Sequence, residues 1–267
     1  MSDNSLSSFE SPSRHAAVSD ILRRHSTNPA DVRAALLQSL DLSGVRSVLD
    51  LGCGYGFMIA AVAQRVAPDA RIVGIDACPA NERPYLDAIA ATGRTGRFIC
   101  QRLDAALDWP ADHFDLVVAS YALYFFPGVL PDIARVLKPD GLFLAITHTE
   151  SSCRDLLQAA GLPTSDPRLF TGIRRFSIEG GSQLLTPWFE RIERVDYANT
   201  LVFDATQFDD FLVYLRFKLP ILEADAGPGG ALPRPLADAI RTSLSRQSRI
   251  TLEKNDAVFR CRGPRCR

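Results

Sequence analysis

"VLDLGCGYGFMIAAVA", Val48–Ala63, sets three glycines at alternate positions between an apolar run and a helical pattern. A glycine turn between a strand and a helix lets backbone N–H groups approach a ligand that a side chain would exclude. Two cofactor classes use this device at the first strand of a parallel sheet. Dinucleotide sites favour G-x-G-x-x-G, with the pyrophosphate on the helix N-terminus. Here Gly52, Gly54 and Gly56 read G-x-G-x-G, and the third dinucleotide position is Phe57. Asp50 stands in the strand just before the turn. A carboxylate there repels a pyrophosphate and suits a cofactor that carries an ammonium group.

Outward from this turn, short apolar runs alternate with helical patterns. "SVLDL", "RIVGID", "RFICQRL", "FDLVVAS" and "LFLAITH" read as strands, and "FMIAAVAQRVA", "RPYLDAIAAT" and "GVLPDIARVLK" as helices, with "KPDG" as a turn. Continuous apolar strands alternating with helices predict a parallel sheet covered on both faces. Right-handed crossovers make it doubly wound, with ligands at the carboxyl ends of its strands. The expected fold is α/β, Rossmann-like and mostly parallel, with an antiparallel last strand drawn from "RITLEKNDAVFRC".

The predicted organisation is a flexible arm over 1–14, N-terminal helices over 15–44 and the cofactor-binding core over 45–150. A lid or insertion follows over 151–188, and 189–267 completes the sheet with helices and a tail. "ATQFDDFLVYLRFKL" reads as a helix with Phe208, Phe211, Leu212 and Leu215 on one face.

Composition bounds the partners. Thirty basic against thirty-one acidic residues leave a net charge of −1, so no global field draws in nucleic acid or an anionic membrane. The dense basic stretch "RCRGPRCR" reads as a solvated tail. No apolar run is long enough to span a bilayer, and the polar start lacks the basic end and apolar core of a secretory signal. Six cysteines without a C-x-x-C pair predict reduced thiols, no metal site and a cytosolic protein.

"VLDLGCGYG" resembles the first motif of the class I S-adenosylmethionine (SAM) dependent methyltransferases. The resemblance runs through Val48–His148. "IVGID" is similar to the family's second-strand motif, "LDAALDWPADHFDLVVAS" to its adenine-binding segment plus fourth strand, and "IARVLKPDGLFLAI" to its fifth-strand entry. The flanks resemble a bacterial subgroup that methylates small molecules, which implies secondary metabolism. The resemblance implies that SAM is bound, and released as S-adenosylhomocysteine. Asp50, Gly52, Cys53 and Gly54 would hold its methionyl part, with Gly56 completing the turn and Ser120 contributing backbone. Asp76 would take the ribose hydroxyls, although an Asp at that place also suits a helix N-cap. Asp104 and the N–H of Ala105 would meet the adenine. Asp115, just before "LVVAS", reads as a sheet-bracing residue.

The acceptor is expected beside "SYALYFFPG". Tyr121, Tyr124 and Phe125 there suit a flat, hydrophobic or aromatic small molecule, though core packing uses the same residues. His148, ending the fifth strand, is the candidate general base, with Glu150 second. Two other readings stand beside methyl transfer: a non-catalytic SAM-fold binding or partner subunit, and an NAD(P)-dependent oxidoreductase. A nucleic-acid substrate is disfavoured, because Ser120-Tyr121-Ala122-Leu123 replaces the Asn/Asp-Pro-Pro-aromatic pattern that adenine-amino methyltransferases resemble. The acceptor atom and the oligomeric state are not encoded in any pattern of the chain.

Overall fold

The structure is a computed structural model that describes residues 8–104, 106–165, 170–222, 238, 240–242 and 245–265. The elements begin with α1 (Pro12–His25), α2 (Val32–Leu36), β1 (Ser47–Leu51), α3 (Ile59–Ala63), β2 (Arg71–Asp76) and α4 (Glu82–Ala90). They continue with β3 (Gly96–Cys100), β4 (Phe114–Ser120), α5 (Leu130–Val136), β5 (Leu137–His148) and α6 (Glu150–Ala159). The last are α7 (Thr171–Arg174), α8 (Gly181–Leu185), β6 (Phe189–Tyr197), β7 (Thr200–Asp204), α9 (Phe208–Leu222), β8 (Arg249–Glu253) and β9 (Asp256–Pro264).

The described residues fall into two compact units. The first lies within Ala30–Thr147, Phe176–Tyr197 and Ala257–Arg267. Its seven-stranded sheet has the order β3-β2-β1-β4-β5-β9-β6. β1 pairs in parallel with β2 and β4, β2 with β3, and β4 with β5. The last strand is antiparallel, as expected of this doubly wound architecture. Val48, Leu49 and Leu51 of β1 are fully buried, as are Leu116, Val117 and Val118 of β4. Two-sided burial is what their unbroken apolar runs require. The strand order reverses between β1 and β4, which is where such sheets open a crevice for a ligand.

Several sequence expectations change in detail. "KPDG" is not a free turn but lies inside β5, where pairing slips from Phe114↔Leu137 to Leu116↔Leu142. The turn-forming residues are taken up as an irregularity in the strand rather than as a break. Asp115 sits at that slip and braces it. Its Oδ2 accepts the backbone N–H of Arg46 and Ser47 at 2.9 and 2.8 Å and the Ser47 hydroxyl at 2.8 Å, while Lys138 Nζ reaches Oδ1 at 2.6 Å. "RITLEKNDAVFRC" makes two strands. β9 enters the main sheet between β5 and β6, and β8 pairs antiparallel with β7.

The second unit lies within Met1–Pro29, His148–Arg175 and Ala198–Asp256. The segment expected to be one insertion, 151–188, is therefore divided: residues up to Arg175 belong here and those from Phe176 to the sheet unit. Of the expected arm over 1–14, residues 1–7 lie outside the described residues and Ser8–Arg14 are held in place. Ser8 Oγ donates to the Phe217 carbonyl at 2.7 Å, and Phe9 meets the His15 and Phe217 rings edge-on. Ser11 caps α1, with Pro12 at its first position, so the helix starts earlier than the polar composition suggested. At the other end of α1, His25 bonds Asp210 Oδ2 and the Val202 carbonyl. Among the described residues no helix is long and apolar enough to cross a membrane.

Burial works against ionisation of Asp115, but Lys138 and the donors from Arg46 and Ser47 outweigh it and hold the carboxyl below its usual value. Asp115→Asn should lower the free energy of unfolding by about 1–3 kcal/mol, through lost charge-assisted hydrogen bonds. A depressed carboxyl contributes above its unfolded value of 3.8 and loses that contribution as pH falls through the lower folded value. Urea titrations should therefore show the difference at neutral pH and its closure below 3.8. An unchanged midpoint at neutral pH would leave Asp115 with no bracing role.

Candidate functional site

The turn after β1 is built from backbone. Gly52 and Cys53 donate their N–H groups to the Ile75 carbonyl at 2.8 and 3.0 Å, which folds the chain back over the end of β2. Gly52 and Gly54 have φ of +65° and +52°, a region that side chains strain. A Cβ on Gly52 would lie 2.5 Å from the Ala122 Cβ, so the loop after β4 packs directly on the turn. Gly56 also has a positive φ, and a Cβ there would meet Ala88 of α4 at 2.9 Å.

Asp76, the last residue of β2, clamps this turn. Its Oδ2 accepts the Gly54 N–H at 2.9 Å, and its Oδ1 accepts the Cys78 N–H at 2.8 Å and the Asn81 side-chain amide at 3.1 Å. The helix cap weighed for this residue is not formed, since α4 starts at Glu82 with Asn81 at its cap position. The carboxylate instead holds the residues leading into α4 against the glycine turn, with an acceptor position to spare of the four a carboxylate has.

Asp50 is 2% exposed, and its Oδ1 has no hydrogen-bond partner. Burial, with a smaller push from the Asp76 charge, raises its carboxyl to about 8. A buried carboxylate without a donor is costly, and a cation placed beside it would remove the cost. Tyr85, which the sequence reading passed over, lies beside this pair. Its ring covers Gly74, where a Cβ would fall 2.4 Å from Cζ, and its buried hydroxyl also lacks a partner. Gly74 is the β2 residue that pairs with Asp50. A glycine inside a strand signals a close approach of this kind. The Cys53 thiol is buried, and burial holds its pKa well above the usual value.

The loop from Ser120 continues the same edge. The Tyr121 N–H bonds the Ile146 carbonyl at 2.9 Å and its φ is +53°. Tyr121 and Phe125 are half-buried, whereas Tyr124 is 1% exposed and packs its ring 4.6 Å from that of Phe125. Of the three aromatic residues expected to line an acceptor pocket, Tyr124 is thus a core side chain. Asp104 is exposed, with Arg102 as its ion-pair partner at 3.9 Å. The structure does not enclose it in a site. Ala105 lies outside the described residues, as do the glycine- and proline-rich loop over 223–235 and Cys266 of the basic tail.

The two proton-transfer candidates lie in the second unit. Glu150 opens α6 and is held by Arg174 Nε at 3.0 Å. His148 is 1% exposed, with its Nε2 3.2 Å from Lys218 Nζ. Burial, then the charges of Lys218 and Lys254, keep its pKa well below the usual value. To act as a base through Nε2 it would have to release that contact. Lys218 escaped the sequence reading although its signal was present. It follows Phe211, Tyr214 and Leu215 at spacings of seven, four and three, so it falls on the apolar stripe of α9.

Residues 48–141 match the family described as "Methyltransferase domain". The nocamycin O-methyltransferase of Saccharothrix syringae is 36% identical over 117 residues, 41% of this chain and 40% of that protein. A trans-aconitate 2-methyltransferase of Escherichia coli is 35% identical over 112 residues, 40% of this chain and 41% of that protein. The chain thus spans about two-fifths of the length of these relatives. In fold it is similar to a SAM-dependent methyltransferase from Thiobacillus denitrificans solved with S-adenosylhomocysteine, with TM-score 0.51, 18% identity and coverage of 93% and 98% of the two chains. It is similarly close to the [4+2]-cyclase SpnF, with TM-score 0.53, 18% identity and 96% coverage of each. The buried Asp50 carboxyl, whose Oδ1 has no partner, stands at the glycine turn and fits the ammonium end of SAM, the cofactor of such methyltransferases. Over residues 48–141 the chain is thus similar to methyltransferase domains, and its fold is similar to that of SAM-dependent methyltransferases.

Proposed function

We propose that this chain transfers a methyl group from SAM to a small molecule by in-line attack of the acceptor on the methyl carbon. The observation that carries the reading is the unsatisfied carboxylate of Asp50 at the glycine turn. Asp50 would hold the ammonium group, the turn at Gly52–Gly56 would receive the methionyl part, and the remaining acceptor capacity of Asp76 would go to ribose hydroxyl. SAM supplies a sulfonium whose methyl group is already activated toward nucleophiles. The protein's task is to position the partners and exclude water, which in well-oriented systems is worth about 7–11 kcal/mol. A strong base is then dispensable, which accords with a His148 ring engaged by Lys218. The half-buried rings of Tyr121 and Phe125 offer the acceptor a flat apolar surface, and the relatives' names, nocamycin O-methyltransferase and trans-aconitate 2-methyltransferase, favour a small metabolite over a nucleic acid. We place the activity in the cytoplasm.

The runner-up reading is a SAM-fold protein that does not transfer methyl. The likeness in fold to a [4+2]-cyclase shows that this architecture also serves other chemistry.

Protein incubated with SAM bearing a deuterated methyl group and an extract of the source cells should produce a labelled small molecule, seen by mass spectrometry. SAM bound tightly with no label moved would favour the runner-up. Asp76→Ala should weaken SAM binding at least about tenfold, roughly 1.4 kcal/mol. Calorimetry giving an unchanged Kd would remove Asp76 from the cofactor site.

A second prediction follows from Asp50. Its carboxyl is raised to about 8, so below that pH the free protein keeps it protonated, and gripping an ammonium group must expel the proton. SAM affinity should rise as pH approaches 8 from below, with proton release visible as a dependence of the binding heat on the buffer. Asp50→Asn should bind weakly without that dependence. Flat affinity in the wild type would separate Asp50 from the ammonium.

A further inference from the structure

The second unit carries ionisable side chains that methyl transfer leaves unused. Lys218 of α9 is 8% exposed, and its Nζ lies 3.2 Å from His148 Nε2. An ammonium group has three donors and no acceptor, so the imidazole accepts at Nε2 and keeps its proton on Nδ1. The ring is therefore neutral, in line with the downward shift that burial and the two lysines impose on it. Lys254, 6% exposed, pairs with Asp256 Oδ1, which is 4% exposed. Glu253 next to it is on the exposed side of β8, where Ser151 and Asn255 donate to it. His15, which also feels Lys218, is pushed down to about 4, chiefly by burial, so it adds no charge at neutral pH. The Tyr214 phenol is likewise kept protonated by burial.

Among the described residues this buried group thus holds two ammonium groups against one carboxylate. Lys254 has Asp256. Lys218 donates to a neutral ring, which supplies a lone pair but no charge. A buried unpaired cation is among the costliest arrangements a fold can keep, and an apolar side chain of similar size would serve α9 better. Burial accordingly pulls the Lys218 pKa down, with Cys153 raising it, Lys254 lowering it and Asp256 raising it. An incoming anion would reverse the net effect. A carboxylate brings one negative charge and two acceptor oxygens, which matches an ammonium with two donors remaining.

We propose that Lys218, oriented by His148, is the receptor for a carboxylate of a small ligand. His148 is the positioning residue, because its Nε2 holds one ammonium donor and leaves two for the carboxylate oxygens.

The test measures thermal unfolding of the whole chain with formate or acetate against chloride at equal ionic strength. These probes are small enough for any site that admits a carboxylate. Melting should rise saturably by about 2–4 °C once the acid is several-fold above its Kd. In Lys218→Met, whose apolar side chain suits the burial, the acid-specific rise should vanish; Lys218→Gln is the second variant if the first does not fold. Equal melting in acetate and chloride, or the same rise in the variant, overturns the proposal. A phosphate effect as large as that of acetate overturns the assignment to carboxylates. Because no SAM is present, failure here leaves the methyl-transfer reading standing, and Asp76→Ala, altered only at the cofactor turn, should keep the acetate response.

Discussion

The Gly54 N–H donates to the Asp76 carboxylate across 2.9 Å, and the cofactor side of the sheet unit depends on that bond. It joins the turn after β1 to the end of β2, alongside the two backbone bonds from Gly52 and Cys53 to Ile75. The turn can then close only with positive φ at Gly52 and Gly54, and only without a side chain at Gly52, where Ala122 already occupies the space. The loop after β4 is drawn in by the same fit. A single carboxylate thereby sets the shape of a surface made mostly of backbone.

The carboxylate that shapes the turn also raises the cost of the one beside it. The charge of Asp76 adds to burial in pushing Asp50 upward, so the two acids cannot both be comfortably ionised without a cation. Asp76 has three donors within hydrogen-bond distance, while Asp50 Oδ1 has none. The asymmetry divides the labour. Asp76 is satisfied by the fold and Asp50 is not, so the protein is less stable at this point than its packing would allow. Such local deficits are expected where function requires them.

How much of this could be read from the sequence depends on what each residue needs. Gly52, Gly54, Gly56 and Asp50 announce themselves because a turn that excludes side chains leaves few substitutes. The β1, β2 and β4 runs are legible because burial on both faces forbids polar residues. Asp115 was readable as a brace from its place at a strand start. Tyr85 was not, because an aromatic residue on a helix facing a sheet is ordinary; only Gly74, seen as the space its ring fills, gives it away. "KPDG" misled because turn chemistry also fits a strand irregularity. Lys218 is hidden for a different reason: a lone lysine on an apolar helical stripe is ordinary where its stem packs and its head reaches water, so its burial is visible only in the fold. Asp104 is the reverse case: a motif match names the residue, while its exposure is a property of the fold.

Asp50 and Lys218 are both buried ionisable groups that burial shifts toward the neutral form, Asp50 upward and Lys218 downward. Methyl transfer from a sulfonium to an anion annihilates charge, so the transition state is less polar than the separated reactants. Apolar surroundings such as the half-buried Tyr121 and Phe125 would favour the proposed transfer, and an ammonium that gripped the reacting oxygen would oppose it, because that contact is strongest in the ground state and weakens as the oxygen loses charge.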